Sequence, residues 1–293
     1  MKTLSFGRAV ITLYMVVFLL YLLVPLLIMG GAALNDSRFP SVYPWIGLTS
    51  RWFVDLFNDA RMWRAVLNTV IVAIAVVVIS VPIGAAAAIL IAGVHQRFRA
   101  FLYGLMVAPI LTPGAVIGIS TLLFWNKFGV PAGLWLSVFG QVSYIAAYSM
   151  LLVLARLQSF DRGLEEAALD LGASHGQVVR RILLPHLYPA LIAAAVIGFF
   201  QSVENFNVTL FTRGNSDTLT VYVFGRVRSG ITPTINALAL ILIVTTLVGV
   251  MVYEFMRRRA ARVAQAEADA AAEAEKAELA MVSSAQTLVT ATA

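Results

Sequence analysis

The chain has 293 residues, of which 60% are hydrophobic and only 12% charged, and its mean hydropathy of +0.86 excludes an ordinary water-soluble domain. Because no cysteine is present and the three histidines are scattered, we expect no disulfide, no thiolate chemistry and no metal site. The net charge of +6 has no predicted soluble domain to carry it, so we expect no nucleic-acid partner and attribute the charge to orientation in a membrane.

Six uncharged runs are long enough to cross a bilayer as helices, since a hydrocarbon core about 30 Å thick needs roughly 20 apolar residues. The runs do not alternate as the strands of a barrel do, so the sequence predicts an all-α polytopic membrane protein. The predicted spans are approximately 9–34, 66–94, 100–125, 130–155, 187–210 and 235–253. Residues 1–257 would form this transmembrane domain, and 258–293 an Ala- and Glu-rich tail that extends the last helix and frays near Ser283.

The first connecting segment, residues 35–64, contains Trp45, Trp52 and Trp63. Tryptophans at this distance from a span are typical of an aromatic belt at the membrane interface. Simple anchoring is favoured over contact with a partner protein.

The third run is interrupted by proline and glycine. Pro109 and Pro113 remove backbone donors, and the freed carbonyls must be satisfied by neighbours, water or a ligand. Pro109 and Thr112 are therefore candidates for the substrate pathway. Packing explains the nearby Gly114 and Gly118 equally well.

Between the fourth and fifth runs lies a charged, helix-forming segment, residues 158–185. Asp161 can cap a first helix, Gly172 can supply a left-handed turn, and Ser174 can cap a second short helix ending before Pro185. Small side chains in this segment allow close approach, and charged ones provide ion pairs, which favours docking of another protein. The residues concerned are Glu165, Glu166, Ala167, Ala168, Asp170, Ala173, Arg180 and Arg181.

The same segment carries the pattern E-A-A, three residues, G, nine residues, I-x-L-P, which resembles the signature of type I ABC importer permeases. The matching positions are Glu166, Ala167, Ala168, Gly172, Ile182, Leu184 and Pro185. The resemblance implies that residues 159–185 form a coupling helix in a cleft of a separate ATPase, with Glu166 and Gly172 central. This sequence has no G-x-x-x-x-G-K-[ST] loop, so we expect no enzyme activity in the chain and expect ATP and Mg²⁺ to be used by the partner.

Glu204 is the one carboxylate inside a predicted span, and an ionisable residue there is a functional candidate. On a continuous helix Gln201, Glu204 and Asn205 would share one face, and Asn207 is a further candidate. The sequence leaves three roles open for Glu204: contact with substrate, an ion pair with Arg213, or contact with a second permease.

Three segments, residues 97–99, 108–120 and 155–161, resemble the smaller permease of the spermidine/putrescine group. The resemblance implies import of a polyamine across a bacterial inner membrane by alternating access. The resemblance would imply two acidic residues at the position where this chain has Glu204 and Asn205. This difference leaves another organic amine or an opine-like compound open as the solute. The implied partners are a second, distinct permease, a dimer of ATP-binding subunits and an extracytoplasmic solute-binding protein.

Basic residues predict the orientation, because Lys and Arg accumulate on cytoplasmic flanks. The hairpin around Gln96 and the cluster from Arg257 to Arg262 place both termini in the cytoplasm. Three other classes are weaker hypotheses. An ion-coupled secondary transporter would commonly show an inverted repeat, an intramembrane enzyme would need a catalytic motif, and an ABC exporter would lack the EAA signature.

Overall fold

The computed structural model describes residues 6–230 and 232–291, and it confirms the all-α class. In this part of the chain the only extended pairing is a single bridge between Asn35 and Leu48. Five described helices are long and apolar enough to cross a membrane, and a bent helix pair makes a sixth if it counts as one span. Residues 1–5, 231, 292 and 293 of the predicted domains lie outside the described residues, as do the side chains of residues 6, 162, 260, 263, 264 and 266–291.

The chain divides into two compact units, residues 1–52 with 236–293 and residues 53–235. Most of the first unit consists of α1 (Phe6–Leu34) and of α12 (Pro233–Ala291), which begins just before the unit boundary. α12 continues as helix beyond Ser283, so the prediction that the tail frays there was wrong. Ala and Glu both favour helix, and the tail contains no proline or glycine to end it.

The segment after α1 is held by the buried side chain of Asn35, which bonds to four backbone groups at Ser41, Pro44, Ile46 and Gly47. The indole of Trp52 donates to the Asn35 carbonyl at 2.9 Å and is itself buried. Trp52 is the second residue of α2 (Arg51–Phe57), and it packs inside the protein rather than in the predicted aromatic belt.

The second unit is built on three long helices, α3 (Ala60–Gly93), α6 (Leu134–Leu157) and α9 (Leu184–Val203). Their buried side chains form an apolar core. The core residues at one end are Ala88, Ile91, Met150, Val153, Leu154 and Leu187, and further along are Val72, Val76, Val138 and Ile145.

Shorter helices lie at the two ends of α9, whose 20 residues extend about 30 Å. α7 (Arg162–Asp170) and α8 (His175–Val178) precede α9, and α10 (Asn207–Thr212) and α11 (Leu219–Ser229) follow it. These ends are named the α7 end and the α11 end below.

The third predicted span is not one straight helix. It forms α4 (Gln96–Leu111) and α5 (Gly114–Asn126), which bend by 102° at the intervening residues. Pro113 causes the break, because it has no N–H to continue the helix and it disfavours helical geometry at Thr112.

Candidate functional site

The predicted helix, turn and helix at the α7 end are present. Asp161 caps α7 by accepting a hydrogen bond from the Gly163 amide at 2.9 Å. At the other end of α7 the Gly172 amide donates to the Leu169 carbonyl and the Ala173 amide to the Ala168 carbonyl, which together make a Schellman motif. Gly172 has φ of +85°, the left-handed geometry that glycine adopts without strain.

Ser174 caps α8 as predicted, through a reciprocal capping box with Gln177. The prediction that this helix ends before Pro185 was wrong. A π-helical turn, Val179–Leu183, joins α8 to α9, and the Leu184 amide donates to the Val179 carbonyl five residues back. The wider turn gives the proline ring room within the helix, because a regular turn would place it against the carbonyl four residues earlier.

The predicted coupling residues are partly exposed and partly half-buried. Glu166, Ala167, Asp170 and Gly172 are exposed, whereas Ile182 and Leu184 are half-buried. Glu165, Ala168 and Ala173 are also half-buried, and Pro185 is exposed. Gly172, Ala173 and Ile182 border one hollow of about 280 Å³, so residues from both halves of the motif lie together.

Leu164 and Leu171 are apolar residues of this loop that the sequence prediction missed. Leu171 is 90% exposed and Leu164 54% exposed. Their spacing of seven residues places them on one face of α7, and this spacing was the available signal. Such a face gives a partner protein apolar contact beside the charged side chains.

The base of this loop is tied to α6. Arg156 Nε donates to the His186 carbonyl at 3.1 Å, and the His186 ring packs against Phe160 with centroids 5.2 Å apart. These contacts join the end of α6 to the start of α9 at the base of the loop.

At the α11 end the fifth predicted span is shorter than expected, because α9 ends at Val203. Glu204 follows as the capping residue, and α10 begins at Asn207. The predicted polar stripe on one continuous helix was therefore wrong. Glu204 is exposed at the break, whereas Gln201 and Asn205 are half-buried.

A network of buried side chains fixes the break. Gln141 of α6 accepts from the Ser202 hydroxyl at 2.6 Å and donates to the Thr209 hydroxyl at 2.9 Å. Asn205 accepts from the backbone amides of Val208 and Thr209, which caps α10. Asn205 therefore has a structural role, and its predicted place on the substrate pathway stays a prediction.

Two tyrosines of α6 lie near the break after α9. The Tyr144 hydroxyl accepts from Nδ2 of Asn205, the residue that follows Glu204, at 2.6 Å. The Tyr144 and Tyr148 rings meet edge to face, 6.4 Å apart. The sequence prediction missed both tyrosines, because they belong to α6 and no local pattern relates them to Glu204.

Two other polar groups clarify the role of Glu204. Gln201 Oε1 is buried and has no hydrogen-bond partner among the described residues. Arg213 forms its ion pair with Asp217, so the predicted alternative of a Glu204–Arg213 pair was wrong. The Glu204 carboxylate remains available for a partner outside this chain.

The remaining pathway candidates lie around the α4–α5 bend. Thr112 donates to the Ala108 carbonyl, and Pro109 is half-buried in the last turn of α4. Asn207 is exposed. A Cβ at Gly118 would lie 2.9 Å from the Val208 carbonyl oxygen, so close packing of α5 against α10 explains this glycine.

Comparison with known proteins decides between the classes that the sequence left open. The profile of the family described as "Binding-protein-dependent transport system inner membrane component" matches residues 80–262, which include the α7 loop and the break after α9. The chain belongs to this family. It is therefore a multi-pass inner-membrane permease component of an ABC importer, not a secondary transporter, an exporter or an enzyme.

Two curated relatives of this permease come from Escherichia coli K12. The chain is 30% identical to the spermidine/putrescine transport system permease protein PotC over 86% of its own length and 95% of that protein. It is 32% identical to the putrescine transport system permease protein PotI over 81% of its length and 87% of that protein.

Solved structures confirm the fold of the permease. A chain of a bacterial ABC transporter involved in import of the polysaccharide alginate matches with a TM-score of 0.68 at 20% identity, covering 86% of this chain and 94% of that one. A chain of an amino acid ABC transporter matches with a TM-score of 0.53 at 20% identity, covering 72% and 100%.

Proposed function

We propose that this permease imports putrescine, spermidine or a closely related organic amine by ATP-driven alternating access. The observation that carries the proposal is the exposed carboxylate of Glu204, next in sequence to the Asn205 that binds Tyr144, in a chain similar to PotC and PotI over most of its length. The assembly would contain a second permease, a dimer of ATP-binding subunits and an extracytoplasmic solute-binding protein. Both termini of this chain would lie in the cytoplasm.

The surroundings of Glu204 suit an ammonium group for three physical reasons. The carboxylate supplies a negative charge, and the rings of Tyr144 and Tyr148 supply faces that attract cations. α9 ends at Val203, and the C-terminus of a helix carries a partial negative charge.

This chemistry recognises an ammonium group and not the length of the carbon chain between two of them. Another organic amine or an opine-like compound is therefore the second candidate solute. The solute-binding protein would contribute further to the choice among amines.

The α7 loop would couple transport to ATP hydrolysis. ATP and Mg²⁺ would bind the partner subunits, and this chain would hold no cofactor of its own. Closure of the ATPase dimer would move the tip formed by Glu166, Ala167 and Gly172. The tie between Arg156 and His186 would then pass this movement to α6 and α9, which carry Tyr144 and Gln201.

The test is ATP-dependent uptake of labelled putrescine and spermidine into proteoliposomes that contain the whole complex with its binding protein. Glu204→Gln keeps the size of the side chain and removes its charge. Loss of a charged contact should lower uptake at limiting solute roughly tenfold to a hundredfold. The matched control is Asp36→Asn, at an exposed aspartate in the first unit, which should transport as wild type does.

Two results would contradict the proposal. Equal uptake by Glu204→Gln and wild type would remove Glu204 from the pathway. An assembled complex that hydrolyses ATP but takes up neither amine would discard the solute while leaving the family unchanged.

A further inference from the structure

A cleft of about 440 Å³ opens at the α11 end of the second unit. The start of α3, the end of α10 and the outer face of α11 surround it. The charged residues that border the cleft are Asp59, Arg61, Arg213, Asp217, Arg226 and Arg228. Four arginines face two aspartates, so positive charge is in excess by two. A second hollow of about 290 Å³ shares Arg61 and Asp217 with the cleft and adds Arg64.

Both aspartates are already engaged within the chain. Asp217 pairs with Arg213 and, at 3.5 Å, with Arg61. Asp59 accepts from the Arg61 and Met62 amides through Oδ1 and from the Tyr222 hydroxyl through Oδ2. Asp217 offsets part of the charge of Arg213 and Arg61, and the cleft keeps its net excess of two positive charges.

Two of the arginines lie over aromatic rings. Arg226 lies over the Tyr222 ring at 6.0 Å, and Arg228 lies over the Phe224 ring at 5.6 Å. The charge of Arg226 also acts on Asp59. Among the side chains that the structure describes, no ion pair within 4.0 Å joins either arginine to a carboxylate. Both therefore remain able to receive an anionic group from outside the chain.

This charge is opposite to the one expected for an amine site. A polyamine carries positive charge, so a cleft with excess arginine repels it, whereas the surroundings of Glu204 attract it. The cleft also lies at the end of α9 away from the ATPase-coupling loop. If that loop faces the cytoplasm, the cleft faces the side from which the binding protein delivers solute.

We propose that this cleft is a docking surface for acidic side chains of the extracytoplasmic solute-binding protein. A guanidinium can pair with a carboxylate through two parallel hydrogen bonds, and an array of arginines steers an acidic protein to its site. The aspartates of the cleft disfavour a compact phosphate group, and so a protein surface with spaced carboxylates fits better than a lipid headgroup. The inference rests on the proposed function, because it assumes that a binding protein delivers the solute.

The experiment measures the concentration of purified binding protein of the same transport system that half-maximally stimulates ATP hydrolysis by the complex in nanodiscs. The test variant is Arg61→Glu with Arg228→Glu, at the two most exposed arginines of the cleft. Charge reversal should raise the half-maximal concentration roughly tenfold or more and weaken its dependence on salt.

Two matched controls separate charge from folding and from general surface charge. Arg61→Lys with Arg228→Lys keeps both charges and should stay within about threefold of wild type. Arg38→Glu reverses an exposed arginine of the first unit, outside the cleft, and should leave the half-maximal concentration unchanged. If the double Glu variant does not assemble with its partners, Arg228→Glu alone gives the same comparison.

The possible outcomes are distinct. An unchanged half-maximal concentration in the Glu variant overturns the proposal. A defect that occurs with phosphatidylglycerol and disappears in pure phosphatidylcholine also overturns it, because the occupant is then a lipid headgroup. Charge-sensitive docking in a complex that transports no amine would support this inference while discarding the proposed solute.

Discussion

The loop before α9 and the break after it keep their shapes by opposite means. The loop is exposed, and its bends are fixed by hydrogen bonds between residues close in sequence, such as the cap at Asp161 and the turn at Gly172. The break is fixed by buried side chains, and its shape depends on Gln141, which comes from another helix about 60 residues earlier. A segment with local hydrogen bonds can move as a unit, whereas one held by a buried network cannot.

This difference separates the expected consequences of mutation. Changes in the loop should weaken coupling while the fold remains intact, because few of its side chains are buried. Changes in the network should weaken the fold itself, since each buried polar group that loses its partner costs about 1–3 kcal/mol.

Gln141→Leu should give the largest effect. Gln141 is fully buried, and leucine would leave the Ser202 hydroxyl without an acceptor and Thr209 without a donor. We expect a loss of about 2–5 kcal/mol in unfolding free energy, measured as thermal unfolding of the purified complex in detergent.

The control removes both members of a hydrogen bond. Ser202→Ala in the Gln141→Leu background deletes the unpaired hydroxyl and should restore about 1 kcal/mol or more. A double variant less stable than Gln141→Leu would mean that side-chain volume, and not hydrogen bonding, fixes the break.

Gly172 tests the other half of the comparison. Its φ of +85° costs a residue with a Cβ about 1–2 kcal/mol, although a Cβ there would contact nothing in this chain. Asparagine tolerates this geometry better than alanine does, despite being larger. We therefore expect Gly172→Asn to retain more solute-stimulated ATPase activity and transport than Gly172→Ala.

The reverse order would change the interpretation of Gly172. If asparagine reduces coupling more than alanine does, the partner subunit excludes a side chain at this position, and backbone geometry is not the deciding factor. Gly176→Ala is a matched control, because Gly176 is exposed in α8 and has no positive φ.

The same distinction explains how much the sequence could predict. The cap at Asp161, the turn at Gly172 and the cap at Ser174 depend on residues within a few positions of each other, and these predictions were confirmed. The π turn before Pro185 was missed because a proline usually marks a helix end, and only the continued packing of α9 reveals otherwise.

Predictions about the break failed for a physical reason. An apolar run that contains Gln201, Glu204 and Asn205 resembles a continuous helix, and no local residue forbids one. The chain turns there because Gln141 binds Thr209 of α10, and because Gly118 lets α5 pack closely against α10. The positions of Tyr144 and Tyr148 near the break could not be predicted either, because both belong to α6, which is distant in sequence.

Asp59 combines both kinds of support in one carboxylate. Oδ1 caps α3 through local amides, and Oδ2 binds the distant Tyr222 hydroxyl at 2.7 Å. Burial is the largest influence on its pKa and raises it, but the hydrogen bonds from Tyr222, Met62 and Arg61 and the charge of Arg226 together outweigh burial and lower the pKa. Burial and the bond to Asp59 raise the pKa of Tyr222 to about 12.

Tyr222→Phe should therefore give the smallest effect, a loss of about 1 kcal/mol at pH 7, because it removes the long-range bond and leaves the local cap. A lowered carboxyl pKa contributes stability above its unfolded value near 3.8, and this is lost as pH falls through the folded value. A raised phenol pKa contributes stability below its unfolded value of 10, and this is lost as pH rises towards about 12. The difference between wild type and Tyr222→Phe in unfolding free energy should be constant between about pH 5 and 9 and shrink on both sides. If the difference in unfolding free energy is unchanged at pH 3, Tyr222 acts through packing alone and not through its hydrogen bond to Asp59. The start of α3 would then depend on long-range packing, as the break after α9 does, and would not combine local and long-range hydrogen bonds.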